Sequence, residues 1–364
     1  MKKKIKIFCF PAHMTKERTS GVDYARIIQP MKALNGYKDE EVEFQVDIFD
    51  VMEEETTEWD KVAEKYDIIY LNYINNPWAF AAMGAMARKN GVKIVLDLDD
   101  ALFNIRSDNP AHNVYKKGSD AIRNFIAICN EVDYMTTTND YLKHVIMNNT
   151  KKKAPQIKVF PNYIDLDLYK HRSPFKNDGQ IQLMHFGSST HYIDLSNDEF
   201  AKGIDRILSE YPNVTFRSIG AFMPKFRGRW GMRYEQVYGH QDLFKWISDF
   251  YPGYMDEADI LVVPLDVDIY NKSKSSIKYL EASAAKIPGV YQRIRQYEEI
   301  IDEGKNGMLA GKASEWYKGI KKLIDDVELR RSMGEAAFKN VQDNWQVKNH
   351  TKEYADFFKE ILIA

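Results

Sequence analysis

Short runs of β-branched and apolar residues alternate with stretches of helical period along the whole chain, and this alternation narrows the fold more than any other feature. The first series is "IKIFCF" (5–10), "VDIF" (46–49), "DIIYLNY" (67–73), "VKIVLDL" (92–98), "DYMTTT" (133–138) and "IKVFP" (157–161). The second is "IQLMHFG" (181–187), "VTFRSIG" (214–220), "VYGH" (237–240) and "DILVVPL" (259–265). Strands that are apolar almost throughout belong in parallel sheets covered by helices on both faces. The helices between them carry start signals. Ser196 with Glu199 three residues on reads as a capping box, and Thr138 or Asn139 opens the next such helix. Between the two series lies "KHRSPFKNDGQ" (170–180), rich in Pro, Gly, Asn and Asp, where a domain linker is expected. The expected fold class is therefore α/β, with two doubly wound Rossmann-like halves facing one another across a cleft.

Length agrees with two halves. A chain of 364 residues, 44% of them hydrophobic, exceeds one ordinary core and suits two domains of roughly 150 to 180 residues. Fifty-one basic and fifty-three acidic residues leave a formal charge of -2, so the overall balance demands neither nucleic acid nor membrane. Cys9 and Cys129, far apart in apolar settings, read as reduced buried thiols and point to the cytoplasm. The apolar run after the basic start ends at Pro11, too short for a signal peptide, and "AFAAMGAMA" (79–87) is too short to span a bilayer, so no stable membrane insertion is expected.

In open parallel sheets, ligands sit beyond the carboxyl ends of the strands. The stretch "NKSKSSIKYLEASAAKIPGV" (271–290) follows such an end, with its helix expected to begin near Ser273. Free backbone N–H groups at a helix start bind anions. Lys274 and Lys278 add charge one turn apart, and Ser275 and Ser276 add further donors, which suits a diphosphate. Glu281 lies another turn along and can accept hydrogen bonds from two vicinal ribose hydroxyls. The plainer reading is an exposed helix face with Lys278 and Glu281 paired. On the other lip, Gly187 lets backbone approach a phosphate, Ser188 and Ser189 can donate to it, and His191 either touches the diphosphate or base or is an incidental loop residue. The loop "MPKFRGRWGMRY" (223–234) interleaves Lys225, Arg227, Arg229 and Arg233 with aromatic rings. That is a pattern for single-stranded nucleic acid or another polyanion, or else a solvated loop over the cleft.

The motifs resemble those of the GT-B glycosyltransferases, in particular the large retaining group 1 (family 4 type) that includes glycogen synthase and mannosyltransferases of cell-envelope assembly. In family order the matching segments are "SGVDYARIIQPMKAL" (20–34), "KIVLDLDDALF" (93–103), "VDYMTTTNDYL" (132–142), "KVFPNYID" (158–165), "FGSSTHYIDL" (186–195), "ADILVVPL" (258–265), "KSSIKYLEASAAKIPGV" (274–290) and "GKNGML" (304–309). The resemblance implies an acceptor-side domain over 1–172 and a nucleotide-sugar domain over 173–345. A C-terminal helix, 346–364, would pack back on the first domain through Trp345, Val347, Tyr354, Phe357, Phe358 and Ile361. It also assigns the 186–195 loop to the donor and likens 17–26, with Ser20 and Gly21, to a loop that borders the acceptor side; Arg26 is expected simply to pack, and the basic pattern of 223–234 puts Arg227 and Arg229 as candidates for a polyanionic acceptor.

Two departures from the family pattern stand out. Of the two glutamates often found eight positions apart, only the later is present, as Glu281; the earlier position is Ser273. Where many members carry a His after the fourth strand, this chain has "DLDD", with Asp97 within the strand end and Asp99 and Asp100 facing the cleft. An Asp-x-Asp can hold a divalent metal in the other glycosyltransferase fold, but GT-B enzymes manage the diphosphate with a helix N-terminus and cations, so no metal and no cofactor are expected. Asp99 and Asp100 are then candidates to orient the acceptor hydroxyl or take its proton, or they are turn and cap carboxylates. The expected activity is transfer of a hexose-type sugar from a nucleoside diphosphate sugar to a hydroxyl acceptor, with retention and a glycan acceptor favoured. A polyanionic acceptor such as a modified DNA base, a nucleotide-sugar epimerase and a non-catalytic nucleotide-sugar-binding protein are the alternatives. The sequence leaves donor sugar, base and oligomeric state open.

Overall fold

The apolar runs pair into two six-stranded sheets, parallel throughout. The computed structural model describes residues 2–11, 19–49, 58–74, 76–109, 111–223, 226, 228–239 and 242–363. The first sheet has the order β2-β1-β3-β4-β5-β6, formed by Lys3–Phe10, Val42–Ile48, Ile68–Asn72, Lys93–Leu98, Tyr134–Thr137 and Ile157–Val159 in chain order β1 to β6. The second has the order β12-β11-β10-β7-β8-β9, formed by Ile181–Phe186, Val214–Ile219, Tyr234–Val237, Ile260–Val263, Gly289–Gln292 and Met308–Ala310 as β7 to β12. In each sheet the winding direction reverses once, between β1 and β3 and between β7 and β10. Those reversals leave a crevice beyond the strand carboxyl ends, and the candidate site lies there.

Several boundaries differ from expectation for local reasons. β2 starts at Val42, earlier than the apolar "VDIF", because an edge strand buries alternate residues and tolerates Glu43 and Gln45 between them. β11 and β12, of four and three residues, have no counterpart among the expected strands. The capping box is corrected as well. Asn197, rather than Ser196, caps the helix Asp198–Glu210, accepting from the Glu199 and Phe200 amides, while the Ser196 hydroxyl donates to the Tyr192 carbonyl. Glu199 turns away to accept from the Ala313 amide. Asn139 caps Asp140–Asn149 as expected.

The last helix, Thr351–Ile363, crosses back to the first sheet. Tyr354 stacks on Phe160 with ring centroids 4.0 Å apart, and Phe358 meets Tyr70 edge-on. Backbone hydrogen bonds between Ile164 and the Trp345–Val347 segment fix the crossing point. Val347, Tyr354, Phe357, Phe358 and Ile361 are all buried there. Cys9 and Cys129 are free and buried.

Beneath the crevice of the first sheet, Arg26 and Asp97 form a fully buried pair. Arg26 Nε donates to Asp97 Oδ1 at 2.9 Å and Nη2 to Oδ2 at 2.7 Å, while Nη1 donates to the Phe160 carbonyl and to Asn162 Oδ1. Arg26 therefore does more than pack, and Asp97 is the sheet's internal counter-charge rather than a cleft residue. Burial opposes the guanidinium charge, but Asp97 outweighs it and raises the arginine further above its usual value. Arg26→Met leaves an unpaired buried carboxylate, which costs about 3–5 kcal/mol. Urea unfolding at pH 7 should show that loss as a lower midpoint.

Candidate active site

A cleft of about 460 Å³ opens between the two sheets, lined by residues from both. From the first sheet's side come the turn after β1, with Ser20 and Gly21, and the turn after β4, with Asp99 and Asp100. Ser20 caps its helix by accepting from the Val22 amide, and Gly21 faces Leu243 across the cleft, a Cβ there standing 3.9 Å from its Cδ1.

The two aspartates are held differently. Tyr73, just past β3 and with a left-handed φ of 47°, donates its hydroxyl to Asp99 Oδ1 and accepts from the Asp100 amide. A tyrosine rarely takes this conformation, and such strain gathers where the surroundings over-determine a residue. Asp100 accepts from the Tyr270 hydroxyl at 2.9 Å and pairs with Lys274 at 3.6 Å, both from the second sheet's side. Burial, with Asp100 adjacent, pushes the Asp99 carboxyl up to about 7.

The opposite lip is organised around His191. Its Nδ1 lies 2.7 Å from Asp194 Oδ2 and its Nε2 lies 3.2 Å from Lys278 Nζ. With Lys278 charged, Nε2 accepts and the ring proton sits on Nδ1, donated to Asp194. Asp194 is anchored in turn by the Asp266 amide and the Asn271 side chain. Burial, then the two lysines, holds His191 well below its usual value, so the ring is neutral. Burial, then Lys274, lowers Lys278 to about 8. Glu281 accepts from the Tyr169 hydroxyl at 2.8 Å, and burial raises its carboxyl.

The glycine after β7 has a specific reason. A Cβ on Gly187 would stand 2.8 Å from the His191 ring and 3.3 Å from Lys278 Nζ. Its amide donates to the Ile219 carbonyl, so the glycine makes room for the imidazole rather than for backbone contact with a phosphate. Ser188 is exposed on the lip and shares a hydrogen bond with Thr190. The Ser189 side chain lies outside the described residues.

The helix of the 271–290 stretch begins later than expected. A short helix, Ile269–Lys272, ends at Ser273, and the main one runs Ile277–Ala284 with Ser276 at its N-cap. Lys274 and Ser275 thus sit in the turn between the two helices, where Asn139 and Thr138 grip the Ser273 and Lys274 carbonyls from the first sheet's side. Ser275 lines the cleft and its hydroxyl accepts from Asn162, the same residue that receives Arg26. Ser276 is nearly buried and makes no side-chain cap.

The basic loop does not reach this cleft with its described residues. Arg229 pairs with Asp205 at 2.9 Å and lies against Trp230, and Arg233 donates to the Leu208 and Tyr211 carbonyls. Both are spent on fastening the loop to the helix Asp198–Glu210, which removes Arg229 from the acceptor side. Arg227 and Lys225 lie outside the described residues.

Asp194, Asn162, Tyr169, Tyr73 and Tyr270 were not singled out in the sequence. Only the His191-x-x-Asp194 spacing, one helical turn, carried a usable local signal. Among the described residues, no group of three metal-ligating side chains is gathered, and no helix is long and apolar enough to cross a membrane.

Residues 183–326 match the family model of the glycosyl transferases group 1, a span that contains His191, Lys274, Lys278 and Glu281. Anabaena HepE, solved with UDP-glucose, superposes with a TM-score of 0.65 at 16% identity, over 98% of this chain and 100% of that one. The chain has the GT-B glycosyltransferase fold. Sucrose-phosphate synthase from Thermosynechococcus elongatus shares this GT-B architecture, with a TM-score of 0.64 at 12% identity over 99% of each chain. TarM from S. aureus has a TM-score of 0.59 at 13% identity. The match covers 80% of this chain but only 54% of TarM. No curated protein sequence matches the chain.

Proposed function

We propose that the chain transfers a hexose-type sugar from a nucleoside diphosphate sugar to a hydroxyl acceptor, with retention at the anomeric carbon. The observation that carries this reading is the placing of Lys274, Lys278 and Glu281 along one lip of the cleft, opposite Asp99 and Asp100. Two half-buried ammonium groups with a neutral histidine behind them fit a diphosphate, and the Glu281 carboxylate, one turn on, fits ribose hydroxyls. Residues 173–345 then bind the donor, 1–172 present the acceptor, and 346–364 tie the two together. Ser20, Gly21 and Asp99 lie on the acceptor side, and Ser188 and Ser275 on the donor side. Asp100, already facing Lys274 and Tyr270, holds the lysine rather than a metal, so EDTA should leave most of the rate.

HepE was solved with UDP-glucose, which makes it the first donor to try. A thermal-shift screen of UDP-, GDP-, ADP- and TDP-sugars should give one clear rise in melting temperature. Incubation of that donor with candidate glycans should give a product whose anomeric configuration, read by NMR, matches the donor's. Turnover of the donor without an acceptor would instead identify an epimerase, and binding without turnover a silent binding protein. A glycan acceptor is favoured over DNA because Arg229 and Arg233 are engaged away from the cleft.

Glu281→Ala should weaken the sugar nucleotide and the free nucleotide alike, because both carry the ribose. Calorimetric titration of each checks this. Loss confined to the sugar nucleotide would place Glu281 on the sugar.

A further inference from the structure

At the opposite ends of the second sheet's strands, away from the cleft, lies a separate cavity of about 150 Å³. That is far more than the ~10–15 Å³ a single water needs. Asp259 leads into β10, Lys286 and Pro288 lead into β11, and the helix Val327–Asn344 supplies Arg330 and Arg331. The segment joining the two sheets supplies Arg172, Ser173 and Lys176.

Charge in this cavity is unbalanced. Of its cations, Lys176 pairs with Asp259 at 3.4 Å and Lys286 with Glu335 at 2.9 Å. Arg172, Arg330 and Arg331 have no ion-pair partner among the described residues. Arg172 Nη1 donates to the Tyr169 and His171 carbonyls, which leaves its remaining N–H groups over. Arg330 is 4% exposed, donates Nη1 to the Leu323 carbonyl and Nη2, at 3.5 Å, to the Lys176 carbonyl, and has no hydrogen-bond partner for its Nε. The Ser173 hydroxyl, from another residue of the lining, is likewise buried without a partner.

The rings nearby hold the cations in place without neutralising them. Arg172 and Lys286 lie over Phe338, and Arg330 and Arg331 over Phe175. An uncompensated guanidinium costs free energy to bury. The buried N–H and O–H groups lack acceptors of their own. Burial draws both Arg172 and Arg330 below the usual arginine value, and for Arg330 it outweighs the pull of Asp259, which Lys176 already pairs, and of Asp178.

We propose that this cavity is a binding site for a phosphate group, held by Arg172, Arg330 and Arg331 with the Ser173 hydroxyl as a further donor. Arginine forks match phosphate oxygens two at a time, and a phosphate dianion supplies counter-charge to three such cations. The phosphate belongs either to free orthophosphate or to a small phosphorylated metabolite such as a hexose phosphate.

The test follows melting temperature against inorganic phosphate at constant ionic strength, with chloride as the control salt. It compares the full chain with two variants, Arg172→Gln/Arg331→Gln and Lys274→Ala/Lys278→Ala. The expected result is a saturable rise in the unaltered protein and in the lysine variant, and its loss in the arginine variant. Repeating the titration with glucose 6-phosphate separates the two sources. A dissociation constant at least ten-fold lower identifies a phosphorylated metabolite, and an equal one identifies free phosphate. No rise in the unaltered protein, a rise that survives in the arginine variant, or one lost in the lysine variant would overturn the proposal. Both arginine positions are partly or fully exposed, so the variant should fold. Its response to the nucleotide sugar found in the donor screen verifies that it has.

Discussion

Asp99→Asn is expected to lower transfer by about 10²–10⁴-fold, the range for a positioned group that handles a proton, while leaving donor binding intact. The pH profile makes the same point without substitution. The carboxyl sits at about 7, so in the free enzyme it is protonated below that value and ionised above it. If its ionised form orients or deprotonates the acceptor hydroxyl, kcat/KM falls as pH drops through about 7. Lys278, lowered to about 8, loses its charge as pH rises through that value, so the profile falls again on the alkaline side. A bell with limbs near these two values is expected, and the acid limb should disappear in Asp99→Asn. An unchanged acid limb would assign it elsewhere. Tyr73→Phe removes the hydroxyl that both aspartates use, so it should move the acid limb upward by weakening the hold on ionised Asp99.

Much of this site is legible because its side chains cluster in short stretches of the sequence. Lysines four positions apart, small hydroxyl residues and a following carboxylate fall in one short stretch, and a glycine after an apolar strand marks the strand end beside them. The parts that were not legible come from the other half of the chain or from long-range pairing. Tyr169 reaches Glu281 across 112 positions, and Tyr270 reaches Asp100 across 170. Arg26 and Asp97 are 71 apart. No periodicity reports such contacts, because periodicity encodes which face of an element is buried and not what it meets there.

The misplaced helix start shows a related limit. Ser273 is a reasonable N-cap by residue type, but its hydroxyl donates back to the Ile269 carbonyl and its own carbonyl accepts from Thr138 and Asn139. Contacts with the first sheet's side therefore decide that Lys274 stands in a turn rather than inside a helix. The basic loop leaves two readings open in the sequence for the opposite reason. Four cations among aromatic rings look like a binding surface, yet Arg229 and Arg233 find their partners on the neighbouring helix.

Lys278→Ala and Lys274→Ala should each reduce transfer by about 10²-fold or more, in line with the removal of one donor from a site where charge develops. The charge on a leaving diphosphate grows in the transition state, so kcat should fall more than donor affinity does. Stability should not follow activity. Lys278 faces a neutral histidine and a second lysine, and burial and repulsion outweigh the pull of Glu281 and disfavour its charge, so its removal should leave the melting temperature unchanged or slightly higher. Lys274 is balanced by Asp100, which keeps the Tyr270 hydroxyl when the lysine is gone. Donor binding to the unaltered protein should draw a proton onto Lys278 above pH 8, because the diphosphate adds negative charge beside it and offsets Lys274. Calorimetry in buffers of different ionisation enthalpy measures that uptake, and it should vanish in Lys278→Ala. Full activity in both variants, or uptake that persists without Lys278, would remove the diphosphate from this lip of the cleft.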